Sequence, residues 1–333
     1  MKTITITNWI LIGLYGLLVV YTLMNVNRSG NDAAGRGMET GFAFLGAFIL
    51  AALFGLNLLP YRALKIIILI VLALPLLIIV YNIISNYFTM QEQNRAEEAR
   101  SNGSFFFDDQ PRREIAAAIA TSDTIRLQAL LQKPVPQLNE CGYQNTTLLD
   151  FAAQKAVEVN ASTSSLRCME MLLEKGATIQ GPDSVHTPTH ILICQTGSVA
   201  LLEWFLKKGA DPNAQAYESS PILFEVMQYD KDRLEKVKLL LNYGADPDAL
   251  SASTGYAIKP LYTPLMYAAF EQLWDVCHLL LERGADPDYR TPQGDDLPKV
   301  MKMHEELYAD VNDIPATFTS FKNYLETNSA GKL

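Results

Sequence analysis

Four Gly-Ala pairs, at 176–177, 209–210, 244–245 and 284–285, each close a run of apolar residues: MEMLLEKGA, LEWFLKKGA, VKLLLNYGA and CHLLLERGA. Successive pairs lie 33, 35 and 40 residues apart. A period of that size signals one supersecondary unit copied along the chain. No copy can bury its apolar face alone, so neighbours must stack into a continuous core. An opener precedes each closer: Thr147 in TLLDFAA, Thr187 in TPTHILI, Ser220 in SPILFEV and Thr263 in TPLMYAA. Thr or Ser at that place predicts an N-cap, with proline in the first turn where a missing N–H is tolerated. The Leu-rich run predicts a second helix, and Gly its left-handed end. Asp-Pro at 211–212, 246–247 and 286–287 then predicts a chain leaving in extended conformation, since Pro cannot continue the helix.

These openers and closers resemble ankyrin repeats, whose pattern is T-P-L-H-x-A-A followed by a second helix ending in Gly-Ala. The resemblance covers about residues 113–326. It implies two helices per unit, short β-hairpin arms, and a concave groove that grips other proteins. The ends diverge, as solenoid caps do. Residues 113–133 have the two-helix rhythm without Gly-Ala, and a last unit starts near Leu297-Pro298 with PATFTSFKNYLET as its second helix. The expectation is about six units over 113–333. The first carries extra residues around 157–165, and the 244–263 connection is longer than its counterparts.

The front half obeys a different rule. Residues 9–24, 41–59 and 66–84 contain no charged side chain. Each is close to the ~20 residues a helix needs to cross ~30 Å of hydrocarbon, and backbone amides in lipid must bond within their own segment. The expectation is a three-helix membrane anchor over 1–86. The region offers only Lys2 ahead of the first run and no small-x-small cleavage site after Met24, which disfavours a cleaved leader. Ala43, Ala47, Ala51 and Gly55 recur every four residues on one face of the middle helix, a spacing that admits close helix packing. That face serves either the chain's own bundle or another membrane protein. No ionisable residue lies within the runs, which argues against an ion or proton path. Pro75 predicts a kink, and Asn82 a bond to a neighbouring helix.

With three spans, Lys2, Arg62 and Lys65 fall on one side and Arg28, Arg36, Arg95 and Arg100 on the other. This bias places the repeats in the cytoplasm and the anchor in the cell membrane. Residues 87–112 read as a helical stalk and linker. Within it Phe105, Phe106 and Phe107 are expected to dock on the first repeat helix, because Asp108 and Asp109 would be repelled by anionic headgroups.

Residues 1–113 hold nine Lys or Arg against seven Asp or Glu, and the remainder eighteen against twenty-nine. An acidic domain lacks the basic footprint that phosphate binding needs, so nucleic acid is not an expected partner. Cys141, Cys168, Cys194 and Cys277 show no metal or disulfide spacing. No phosphate loop, nucleophile elbow or paired metal-ligand histidine occurs. No catalytic residue, metal or cofactor is expected. His190 stands where the opener has its structural His, and Cys168 and Cys277 read as small apolar residues on buried stripes.

The resemblance therefore points to surface. Carried over position by position, the arm tips and pre-opener places bring Tyr143, His186, Tyr217, Tyr256, Lys259 and Tyr262. The places after the Ala pair bring Gln195, Met227, Gln228, Phe270 and Glu271. Tyrosine suits a gripping rim because it offers large contact area with few rotamers to freeze. Tyr256 and Tyr262 have packing of the long arm as their alternative, and Phe270 the gap between repeats. The chain thus reads as all-α: a transmembrane three-helix bundle followed by an ankyrin-repeat solenoid that binds a protein partner as scaffold or recruiter. The alternatives are an accessory subunit of a membrane complex and a stoichiometric, immunity-like inhibitor.

Overall fold

The computed structural model describes residues 2–25, 33–182, 186–216, 220–229, 231–252, 261–311 and 313–329. The chain divides into two compact units, Met1–Arg95 and Ala96–Leu333.

The first unit is built from helices α1 (Lys2–Asn25), α2 (Ala33–Leu58) and α3 (Arg62–Ser101), the last of which runs through Pro75 and past the unit's end. All three are long and apolar enough to cross a membrane. Their interior is small. Ile12, Ile68 and Leu72 form its buried centre, with Trp9, Tyr15, Leu50 and Leu53 packed around them. At one end the Asn8 side-chain amide donates to Asn57 Oδ1 and to the Lys65 carbonyl, each at 3.0 Å. Asn8 and Asn57 are both buried. Tyr15 donates its hydroxyl to the Leu72 carbonyl at 2.9 Å. Most other side chains face outward. From Leu74 to Met90 every residue of α3 is exposed, a distribution that suits an apolar solvent and not water.

The second unit is a row of helix pairs: α4 (Gln110–Ala120) with α5 (Thr124–Leu131), α6 (Leu148–Glu158) with α7 (Thr163–Lys175), and α8 (Thr189–Cys194) with α9 (Val199–Lys207). The remainder are α10 (Ile222–Met227) with α11 (Arg233–Asn242), α12 (Pro264–Phe270) with α13 (Trp274–Glu282), and α14 (Leu297–Val311) with α15 (Ala316–Ser329). First helices meet first helices from α4 through α14. Second helices meet second helices on the other layer, α9 with α11, α11 with α13 and α13 with α15. One continuous core runs between the layers, from Phe107 to Phe321.

The closers end their helices in one way. Gly209 has φ 92°, its N–H donates to the Leu206 carbonyl, and the Ala210 N–H reaches back to Phe205. Two helix-end carbonyls are thereby satisfied by a residue that no Cβ opposes. The same pair of bonds recurs at Gly176, Gly244 and Gly284.

Two local expectations need correction. The Asp-Pro segments turn instead of extending: Asp211 Oδ1 accepts from the Asn213 N–H at 2.8 Å, and Asp246 and Asp286 accept in the same way from Asp248 and Asp288. A short carboxylate bonding two residues ahead sets this turn, and Pro supplies its fixed φ. The openers also differ among themselves. Thr147 and Thr263 cap their helices, but α8 and α10 begin one residue later, after Pro188 and Pro221, with no side-chain cap. Among the described residues the arms carry single antiparallel bridges, Gln215 to Pro221 and Arg290 to Asp296, and no longer ladder.

The Phe105–Phe107 segment packs on the first pairs. Phe107 is fully buried against Phe151, and the Phe106 carbonyl accepts from the Tyr143 N–H at 2.7 Å. Arg112 pairs with Asp109 and donates to the Glu140 carbonyl.

Candidate interaction surface

The row of first helices presents equivalent positions side by side. The second residue after the Ala pair, or its equivalent, is Lys155 on α6, Gln195 after α8, Gln228 after α10 and Glu271 after α12. Gln195 donates to Glu225 Oε2 at 3.0 Å across two repeats, which fixes the spacing of that stretch. Gln228 and Glu271 are exposed, and Gln195 and Phe270 are half-buried. Tyr143, 61% exposed, stands edge-on to Phe105 at 4.9 Å between ring centres.

Three candidates belong to the interior. Met227 is 1% exposed and packs between repeats. Tyr262 is 1% exposed, its N–H bonded to Ser251 Oγ and its ring edge-on to Phe270. His186 is also buried, with Nε2 2.7 Å from Asp150 Oδ2. Tyr217, Tyr256 and Lys259 lie outside the described residues. In the first unit Ala43 is buried, Ala47 half-buried, and Ala51 and Gly55 exposed.

Two surface residues escaped the pattern reading. Leu192 and Tyr229 are each 39% exposed beside Gln195 and Gln228. Leu192 had a signal in TPTHILI, where it takes the first place of the Ala pair and stands out from the helix. Tyr229 lies beyond SPILFEV and left no signal in the opener.

Beneath the surface, burial shifts several titratable groups toward their uncharged forms. Burial pushes the His190 pKa below its usual value, while its Nε2 sits 2.9 Å from the Asp211 carbonyl. Burial raises the Cys168 thiol to about 11 and lifts those of Cys194 and Cys277 as well. Thiols with such values hold their protons at neutral pH, which is the opposite of an activated nucleophile. Lys236 is lowered by the same cause, and its ammonium donates to the Cys194 carbonyl at 2.8 Å. No cluster of metal-ligating side chains occurs among the described residues.

Residues 189–291 match the family profile for ankyrin repeats in three copies. This segment carries ankyrin repeats. The chain is 38% identical over 163 residues to ankyrin repeat protein nuc-2 of Neurospora crassa, an alignment covering 49% of this chain and 14% of that protein. This chain therefore spans a small part of that relative's length. Among solved structures, the ankyrin repeat domain of Bcl-3, a member of the IkappaB family, has 20% identity and a TM-score of 0.43 over 56% of this chain and 76% of that one. An ankyrin repeat domain from Acinetobacter baumannii has 18% identity and a TM-score of 0.45, covering 57% and 91%. Ankyrin repeats generally mediate protein–protein interaction.

Proposed function

We propose that this chain is a membrane-anchored ankyrin-repeat protein that captures a protein partner on its first-helix face and holds it near the bilayer. The anchor would be residues 1–86, joined through 87–112 to the repeats of 113–333. The domain would lie on the cytoplasmic side of the cell membrane. The observation that carries the reading is the coexistence of two surfaces. Three helices expose apolar side chains almost all round, and the repeat row exposes polar and aromatic ones at equivalent places. Confinement to a thin layer raises the effective concentration of the face for any partner in that layer. Tyr143, Gln195, Gln228, Phe270 and Glu271 form the binding face, with Leu192 and Tyr229 beside them.

The test is affinity capture of the full chain from detergent-solubilised membranes, compared with a variant carrying Gln228→Ala and Glu271→Arg. Lys238→Glu, on the exposed face of second helix α11, is the control. A partner retained by the control and lost by the face variant is the expected result. An unchanged set of partners in both refutes the face, and release of the chain by an alkaline wash refutes the anchor.

A further inference from the structure

Lys2, Thr5, Asn8 and Ile12 follow one another on α1 at three- and four-residue steps, as do Arg62, Lys65, Ile68 and Leu72 on α3. Each set therefore lies on one face of its helix. Both faces run down to the buried centre, where Ile12, Ile68 and Leu72 meet. Two bonds join them near one end: Lys65 Nζ donates to Thr5 Oγ1 at 3.3 Å, and the Lys65 carbonyl accepts from the Asn8 amide at 3.0 Å. Lys65 is half-buried, so its charge is held at this joint. Lys2 and Arg62 are exposed, and each stands three residues further out, about 4.5 Å along its helix at 1.5 Å per residue. The three cations sit at the mouth of the bundle's inner line.

No acid side chain balances them there. Residues 1–31 and 40–91 contain no Asp or Glu, and Glu39 stands eighteen residues before Asn57 on α2, about 27 Å away along that helix. The partial negative charge at the end of α2 and the partial positive charge at the start of α3 offset each other, so the side chains set the sign. Basic residues that only anchor a membrane helix reach outward to the interface. This trio continues the inward faces instead. From Lys2 to Asn25, α1 is about 35 Å long, against ~30 Å of hydrocarbon, which puts its first turn at the level of lipid headgroups. The anions at that level are phosphates, and ammonium and guanidinium groups bind them by charge-assisted hydrogen bonds.

We infer that Lys2, Arg62 and Lys65 form a site for the phosphate of an anionic phospholipid. This rests on reading the three helices as membrane-spanning, and not on which side the repeats lie. A headgroup held there ties α1 to α3 at the end where Asn8 and Asn57 already join the helices.

The full chain is extracted from alkaline-washed membranes, stripped of lipid in a neutral detergent and titrated with phosphatidylglycerol or phosphatidylcholine. Native mass spectrometry counts the lipids retained by each chain. The expected result is one phosphatidylglycerol held at concentrations where phosphatidylcholine is not. Lys65→Gln keeps a donor for Thr5 and should weaken retention about fivefold, the effect of one basic residue at an anionic surface. Arg62→Glu changes two charge units at an exposed position and should weaken it about 25-fold on the same scale. Arg95→Glu, equally exposed further along α3, keeps the parent value, and unchanged helix content in all three variants separates lost binding from lost folding. Equal retention of the two lipids overturns the inference, as does equal weakening by Arg62→Glu and Arg95→Glu, which would make net charge the cause. Displacement of the lipid by an equimolar amount of glycerol phosphate also overturns it, by making the occupant a soluble anion. A chain released in the alkaline wash fails at an earlier step, where the membrane reading itself falls.

Discussion

Asn213 reaches across a repeat boundary to clamp the corner that contains Asp246: its Oδ1 accepts from the Asp246 N–H at 2.7 Å and its Nδ2 donates to the Gly244 carbonyl at 3.1 Å. Asn139 makes the same two bonds to Thr178 and Gly176. At the next equivalent place stands Asp248, which accepts from the Asp286 N–H at 2.9 Å but has no hydrogen to give Gly284. Asp248→Asn supplies the missing donor and removes a charge from an edge shared with Asp246, Asp286 and Asp288. The expected gain is about 0.5–1.5 kcal/mol, one net hydrogen bond. Asn213→Asp loses a similar amount. Thermal melts of the full chain in detergent, followed by helix content, check both signs.

The joint between the first two complete repeats is centred on a buried carboxylate. Asp150 accepts from Thr147 through both N–H and hydroxyl, from the Thr189 hydroxyl at 2.6 Å, and lies 2.7 Å from His186 Nε2. All four residues are buried. Asp150→Ala leaves several donors without an acceptor, and about 3–5 kcal/mol of stability is lost. Thr189→Val removes one donor and costs about 1–2 kcal/mol. A double-mutant cycle between Asp150→Ala and His186→Phe shows coupling above about 0.5 kcal/mol, as contacting residues do. Additive losses contradict the clasp.

These two features mark how far the sequence can be read. The Gly-Ala closers are legible because the requirement is local: a left-handed residue at a helix end leaves the same dipeptide wherever it occurs. The uncharged runs are legible because an apolar solvent excludes charge over a whole helix. The clasp joins residues 36 and 39 positions apart. Its traces were an Asp where the opener has His and a Thr where it has Leu, and neither says which partner it meets. Met227 and Tyr262 occupy places that the resemblance offered to the binding surface. Their burial depends on how the chain around them packs, and position within a repeat does not encode that.

Turn strain gives a paired prediction. Ser122 holds φ 53° between α4 and α5, a conformation that costs a residue with a Cβ about 1 kcal/mol. Ser122→Gly removes that strain but loosens the unfolded chain, so the net gain is about 0.5 kcal/mol. Gly209→Ala tests the converse. Open space surrounds the position and φ is 92°, so backbone strain alone sets the cost, about 1–2 kcal/mol. Chemical denaturation of the two variants beside the parent gives opposite shifts in midpoint. Equal shifts would mean that side-chain contacts, and not φ, govern these positions.

His190 and His304 make the fold sensitive to acid. Burial is the first cause of the lowered pKa of each, so each resists protonation when folded and accepts it freely when unfolded, where the ordinary value is 6.5. Below that value the unfolded chain binds more protons than the folded one, and stability falls as pH falls. Above it both states are neutral at these positions and their contribution is fully present. The chain is thus expected to lose stability as pH drops from 6.5 toward the folded-state values, before most carboxylates titrate. His190→Gln keeps a donor for the Asp211 carbonyl while removing the titration. His304→Phe keeps an aromatic ring against Trp274 and Tyr308, whose rings flank it at 5.5 and 6.0 Å. Each change should flatten part of the slope of unfolding free energy against pH between 6.5 and 5, and both together most of it. A slope unchanged in the double variant would move the acid sensitivity to another group.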